Sequence, residues 1–343
     1  MDQAALMIPV ILVTGFLGAG KTTVINRLID YFSGRVARLA VMINEFASIG
    51  IDGALVPPGD YVKIELNKGS IFCSCMRMDF IAELKKLALD VKPDLLLIEA
   101  TGIARVDDLY GMMRLDGLDT LIRMQKNICV VDAVNFFKVE QTLEAARIQV
   151  EYADAVILNK VDEADDELVG RTLKLISQHN SSAPVYHAVY GDFSPELVFN
   201  CNTDDLPASA KETSPEFDGR RPAEFHSSSL KLEAIIDMAA WQGFISSLPS
   251  DSILRAKGIS RLPMGPRYFE IINGEYSEKA APPGLAGRRQ SIFTFVSRDP
   301  MPAEFLERLR DCAMASTLRT TWSRGNPKPG VLHGRAMDRD ADQ

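Results

Sequence analysis

Eight residues near the start of the chain restrict its fold more than anything else in it: Gly15-Phe16-Leu17-Gly18-Ala19-Gly20-Lys21-Thr22. They match the pattern G-x-x-x-x-G-K-[ST]. An apolar run at 8–13 precedes them and reads as a buried strand, with Pro9 at its start. A helical pattern from 21 to about 31 follows. Strand, glycine-rich turn and helix in that order make a phosphate cradle. Glycines let backbone N–H groups converge on phosphate oxygens without Cβ clashes, and the helix N-terminus adds partial positive charge. Gly15, Gly18, Ala19 and Gly20 supply that backbone. Lys21 can reach the β- and γ-phosphates, which makes it a catalytic candidate, and the Thr22 hydroxyl can ligate Mg²⁺. Thr23 falls near the α-phosphate.

Further apolar strand candidates recur at 39–43, 95–98, 128–131, 155–158 and 184–189, with helical patterns between most of them. Alternation of this kind predicts a parallel sheet covered on both faces. After residue 199 the composition shifts, and 202–222 is rich in Asp, Ser, Pro, Glu and Arg. Beyond it, 228–236, 268–272 and 292–296 read as strands, and 237–248 and 302–314 as helices. The expected fold is an α/β P-loop domain with a mostly parallel sheet, followed by a smaller α+β domain. The boundaries expected are 1–201 for the first domain, 202–222 for a linker, 223–320 for the second domain and 321–343 for a flexible tail.

With 343 residues, 46% of them hydrophobic, the chain can bury two cores. Its net charge of −8 disfavours a nucleic-acid partner, whose phosphates call for a basic face. No apolar run is long enough to span a bilayer. Asp2 and the lack of an early Lys or Arg disfavour a secretory signal, so a cytoplasmic protein is expected. Five cysteines are too few and too scattered for a disulfide framework.

Three further motifs carry chemistry. Asn159-Lys160-Val161-Asp162 ends a strand candidate. A carboxylate at Asp162 can accept two hydrogen bonds from guanine, from its ring N–H and its amino group, and adenine offers neither. Asn159 would tie this turn to the phosphate loop, and the Lys160 stem would cover the base plane. A kinase built on the same phosphate loop is disfavoured by this intact tetrapeptide. The second motif, Glu99-Ala100-Thr101-Gly102, ends the strand at 95–98. Ligands of parallel sheets bind at the carboxyl ends of strands, so Glu99 is placed to orient Mg²⁺ or the attacking water. Gly102 can offer its N–H to the γ-phosphate. Asn44-Glu45-Phe46 and Ile49-Gly50-Ile51-Asp52 read as a second nucleotide-responsive loop. Between the two loops lie Cys73 and Cys75, spaced so that both thiolates can hold one soft or borderline cation. Two thiolates leave a tetrahedral shell unfilled, and Glu45, water or a client residue could complete it.

Taken together, these motifs resemble the CobW-like family of metallochaperone GTPases, over nearly the whole chain. The resemblance rests on the loop from Gly15 to Thr23, Asn44-Glu45-Phe46 with Gly50-Ile51-Asp52, Glu65-Leu66 before the cysteines, Glu99-Ala100-Thr101-Gly102 and Asn159-Lys160-Val161-Asp162. In the second domain, Ile253-Leu254-Arg255-Ala256-Lys257-Gly258 resembles a signature of the family's C-terminal domain. The chain departs from the family's Cys-x-Cys-Cys: Ser70 stands where the first cysteine usually falls, and the thiols slip to Cys73 and Cys75. The histidine-rich segment of many members is absent, and His179, His187, His226 and His333 are scattered. The resemblance implies GTP hydrolysis coupled to delivery of a divalent metal to a client metalloprotein or a cofactor-pathway enzyme. Zinc is the default for thiolates, with Co²⁺, Fe²⁺ and Ni²⁺ open, and a homodimer is also open. The rival reading is a nucleotide-dependent assembly or activation factor for a partner enzyme, with Cys73 and Cys75 structural.

Overall fold

The structure is a computed structural model. It describes residues 7–44, 59, 61–66, 74–140, 143–199, 226–248, 253–272, 275–287, 289–297, 299–314 and 320–325. The expected linker at 202–222 and the Glu45 and Cys73 positions lie outside the described residues.

Strand β1 (Ile8–Gly15) is apolar almost throughout and buried on both faces, the mark of a central strand in a parallel sheet. It passes directly into α1 (Lys21–Phe32), whose Val24, Ile25, Leu28, Ile29 and Phe32 face inward at three- and four-residue spacing. The first unit continues with β2 (Leu39–Asn44), β3 (Val62–Leu66), α2 (Ser74–Lys86), β4 (Leu95–Glu99), α3 (Val106–Met112) and β5 (Ile122–Asp132). Then come α4 (Phe136–Glu140), α5 (Glu144–Glu151), β6 (Ala155–Asn159), α6 (Asp166–His179), β7 (Val185–Ala188) and α7 (Pro195–Phe199). The seven strands lie in the order β3-β2-β4-β1-β5-β6-β7, and every neighbouring pair is parallel. Successive residues of β1 feed different cores. Val10 and Leu12 pack with Met42, Leu96, Ile98, Phe80 and Leu109 on one face. Ile11 and Val13 pack with Val24, Ile25 and Leu28 of α1 on the other. This is the expected fold, with one strand more than the sequence suggested. Val62–Leu66 reads Val-Lys-Ile-Glu-Leu, five residues whose polar alternates hid it.

The second unit is a six-stranded antiparallel sheet in the order β11-β10-β9-β12-β8-β13. Its elements are β8 (His226–Leu232), α8 (Met238–Ser246), β9 (Ile253–Leu262), β10 (Gly265–Ile272), β11 (Glu275–Ala280), α9 (Pro283–Ala286), β12 (Ser291–Ser297), α10 (Ala303–Asp311) and β13 (Thr320–Gly325). Helix α8 starts at Asp237, whose carboxylate accepts from Ala240 N at 2.8 Å. Trp241 and Phe244 of α8 and Phe305 and Leu309 of α10 cover one face of the sheet, against Phe269, Phe293 and Phe295. The strand read at 228–236 ends at Leu232, and Ile236 makes only an isolated bridge to Ala313. The tail expected from residue 321 is also corrected: Thr320–Gly325 is a strand paired antiparallel with β8. Arg, Gly and Ser disguised it as unstructured chain.

Strand β9 carries the Ile253 to Gly258 signature and explains its glycine. A Cβ on Gly258 would lie 1.9 Å from the Ile292 carbonyl oxygen and 2.6 Å from the Phe269 ring. Gly258→Ala is therefore expected to destabilise the second unit by about 3 kcal/mol. Urea unfolding followed by tryptophan fluorescence, with Trp241 fully buried in this core, is the check; an unchanged midpoint refutes it. The two units meet at the phosphate loop, where Leu254 of β9 and Val296 of β12 join the cluster of Phe16, Leu17 and Ile103.

Candidate nucleotide site and metal segment

The phosphate loop leaves β1 at its carboxyl end, in the centre of the sheet. Gly15 has φ 134 and Gly20 φ 102, backbone angles that side chains rarely adopt. Space forbids a side chain as well: a Cβ would lie 2.2 Å from Val130 O at Gly15 and 2.3 Å from Asn159 Nδ2 at Gly20. Helix α1 begins at Gly20 with no side-chain cap and no acid in its first turn. Its N-terminal amides are thus left to an anion. The Lys21 ammonium is buried and donates to the Phe16 carbonyl at 3.1 Å, folding the loop round itself. Thr23 is exposed one residue past Thr22.

Parallel register brings Glu99 of β4 beside Val13 of β1. The Thr22 hydroxyl donates to Glu99 Oε1 at 2.9 Å. Hydroxyl and carboxylate together form an oxygen donor set that fits Mg²⁺. Nearby, the Thr101 hydroxyl oxygen is buried with no hydrogen-bond partner among the described residues. The loop after β4 then lies against the phosphate loop, and a Cβ on Gly102 would sit 2.6 Å from Leu17 N. Helix α5 holds that loop from below. Fully buried Gln149 donates to the Ala104 carbonyl at 2.9 Å and to that of Gly102 at 3.3 Å. Arg105 pairs with Asp107 at 2.6 Å and with Glu144 at 3.2 Å. The hydrogen bonds that Arg105 donates to Asp107 hold its guanidinium above the ordinary pKa.

The 159–162 turn sits two strands away, where Asp132 of β5 and Asn159 of β6 are in register. Asn159 Nδ2 donates to the Ala19 carbonyl at 2.9 Å, and its Oδ1 accepts from Gly191 N at 2.9 Å. One side chain thus joins the phosphate loop, the 159–162 turn and the loop after β7. Lys160 has φ 63, and its ammonium lies 2.7 Å from Asp132 Oδ2. Asp162 is exposed in the short turn Val161–Glu163.

The structure therefore brings Gly15, Gly18, Ala19, Gly20, Lys21, Thr22, Glu99, Gly102, Asn159, Lys160 and Asp162 to one edge of one sheet. The sequence-model match that decides the family covers much the same span: "CobW/HypB/UreG, nucleotide-binding domain" matches residues 9–187. The chain belongs to the CobW/HypB/UreG family. As a member it is a nucleotide-binding P-loop protein of the GTPase class. Similar proteins include the zinc chaperone YjiA of Escherichia coli, 29% identical over 264 residues, 74% of this chain and 81% of that protein. The zinc chaperone CobW of Sinorhizobium sp is 27% identical over 305 residues, 77% of this chain and 84% of its own. The crystal structure of Zn(II)-bound YjiA GTPase from E. coli covers 92% of this chain and 100% of its own at 22% identity, with a TM-score of 0.43.

Sequence reasoning missed four residues at this family site: Asp132, Gln149, Tyr190 and Gly191. Tyr190 is 76% exposed with φ 50, beside Gly191, in the loop that Asn159 anchors. The signal was available for that loop, because it follows a strand next to β6 and must emerge at the same carboxyl edge. Gln149 had no local signal.

Of the residues expected to bind metal, Glu45 and Cys73 lie outside the described residues. Cys75 is in the first turn of α2, and its side chain is not described. Among the described residues no group of three or more His, Cys, Asp or Glu could hold a metal. Burial pushes the Cys129 thiol up to about 12 and the Cys312 thiol up to about 11, so both stay protonated core groups. His179 pairs with Glu140 at 2.9 Å. No helix among the described residues is long and apolar enough to cross a membrane.

Proposed function

We propose that this family GTPase hydrolyses Mg·GTP and uses nucleotide state to control binding of a divalent transition metal and its delivery to a client metalloprotein or cofactor-pathway enzyme. Zinc is the favoured cargo, since relatives are named zinc chaperones. One observation supports the coupling above all others. Glu65 near the end of β3 is in register with Ile43 of β2, and Ile43 with Glu99 of β4. The segment leading to Cys73 and Cys75 therefore leaves the sheet at the same edge as Glu99 and the Glu99–Gly102 loop.

The chain's own groups divide the chemistry. Loop amides and the α1 N-terminus bind the phosphates, while Lys21 exchanges the Phe16 carbonyl for phosphate oxygens and offsets their charge. Thr22 and Glu99 would hold Mg²⁺, which supplies charge neutralisation when bound. Glu99 orients the attacking water or the metal's water shell. Gly102, pressed against Leu17, offers its N–H to the γ-phosphate, and Gln149 restrains that loop from beneath. Asp162 reads the base.

Metal analysis under GTP and under GDP is the test. Zinc should bind with proton release, as expected of thiolate ligands. GTP should change zinc affinity, and zinc should change GTP affinity by the same factor, worth about 1–3 kcal/mol. The double variant Cys73→Ser with Cys75→Ser should keep GTP binding and lose zinc together with this coupling. Unchanged zinc stoichiometry in the double variant moves the site elsewhere. Equal zinc affinity in both nucleotide states favours the assembly-factor reading instead.

A further inference from the structure

We propose that Asp132, at the carboxyl end of β5, is a positioning residue for the purine ring. It acts through Lys160, and the proposal rests on the reading that the 159–162 turn holds the base. Its carboxylate is fixed at both oxygens. Oδ1 accepts from Val134 N at 2.9 Å and from Asn135 N at 3.1 Å. Oδ2 accepts from Asn135 Nδ2 at 3.2 Å and from the Lys160 ammonium at 2.7 Å. Only 7% of the Asp132 side chain and 20% of the Lys160 side chain are exposed, so solvent screens this pair little.

The other end of the lysine is fixed as well. Ala133 N donates to the Asn159 carbonyl at 2.9 Å, which ties the turn after β5 to the turn after β6. Lys160 itself takes a left-handed backbone conformation, with φ 63. A lysine side chain left free keeps many rotamers and must surrender them when a ring settles on its stem. Here both ends are set before nucleotide arrives, and the four-carbon stem between them is a preformed apolar strip. Preorganisation of this kind raises affinity by removing an ordering cost, with no new contact to the ligand. The strip serves any purine, and the choice between guanine and adenine stays with Asp162.

Titration of the full-length chain with GTP, GDP and inorganic tripolyphosphate, each with Mg²⁺, separates this role from a bracing one. Asp132→Asn keeps the shape but places an amide N–H against the ammonium. It should weaken GTP and GDP alike by about tenfold, while tripolyphosphate, which has no ring, binds as in the parent. Lys160→Met should lose at least as much, and the double variant should be no weaker than Lys160→Met alone, since both changes remove one interaction. Should Asp132→Asn not fold, Lys160→Arg, which keeps a cation for Asp132, is expected to retain most of the affinity that Lys160→Met loses. Parental GTP affinity in Asp132→Asn, losses that multiply in the double variant, or tripolyphosphate weakening in step with GTP each overturn the proposal, as does Lys160→Arg binding no better than Lys160→Met. The base reading is tested separately through Asp162, whose failure shows as unaltered nucleotide preference in Asp162→Asn.

Discussion

Replacing Lys21 by alanine is expected to abolish GTP hydrolysis and to weaken triphosphate binding severely. The ammonium is held at the loop by the Phe16 carbonyl, 3.1 Å away. It needs only a local swing to reach phosphate oxygens, where it would offset charge that grows on the way to the transition state. Loss of one such preorganised donor typically costs about 10²–10³ in rate, and a full positive charge at the phosphates should sit at or above the top of that range. The expected loss of turnover is thus on the order of 10³. Stability should fall far less, since the Phe16 carbonyl loses one hydrogen bond, worth about 1 kcal/mol. Phosphate release measured under saturating GTP, beside a melting curve, separates the two effects. Turnover at the parental rate in a folded Lys21→Ala protein would remove the phosphate-loop assignment altogether.

How much of this could be read in advance depended on how local the physics was. The phosphate loop was fully legible because its constraint is written in consecutive residues: Gly20 takes an angle that only glycine takes freely, and Lys21 follows it. The apolar strands were legible for the same reason, as runs such as Leu95–Glu99, buried at every position. Strand β3 was missed because polar Lys63 and Glu65 alternate through five residues. Strand β9 was missed because Arg255, Lys257 and Gly258 break the pattern that marks a strand from sequence. Residues that act by reaching across the fold left no trace at all. Asp132 precedes Lys160 by 28 positions and Gln149 follows Gly102 by 47, and only the folded chain brings each pair together. A tetrapeptide such as 159–162 can thus be read for its own chemistry without naming the groups that hold it in place.

The second large effect concerns base choice. The parent protein is expected to prefer GTP to ATP by on the order of 10⁴, as sites built on paired hydrogen bonds do when an analogue lacks the donors. The geometry suits that role. Asp162 is exposed at the tip of the turn Val161–Glu163. That turn is fixed in two directions, by Asn159 to Ala19 and by Lys160 to Asp132. An exposed carboxylate on a fixed turn can accept from the ring N–H and the exocyclic amine of guanine at once. Asp162→Asn replaces one acceptor oxygen with a donor. It should therefore lose most of the preference for GTP and gain tolerance for xanthosine triphosphate, whose carbonyl at that position accepts from the new amide. Because Asp162 is exposed, the fold and tripolyphosphate binding should be unaffected. Competition titrations of GTP, ATP and xanthosine triphosphate against parent and variant decide the matter. Equal affinity of the parent for GTP and ATP refutes the base-reading role of the turn, and a variant that still prefers GTP as the parent does places the specificity on another residue.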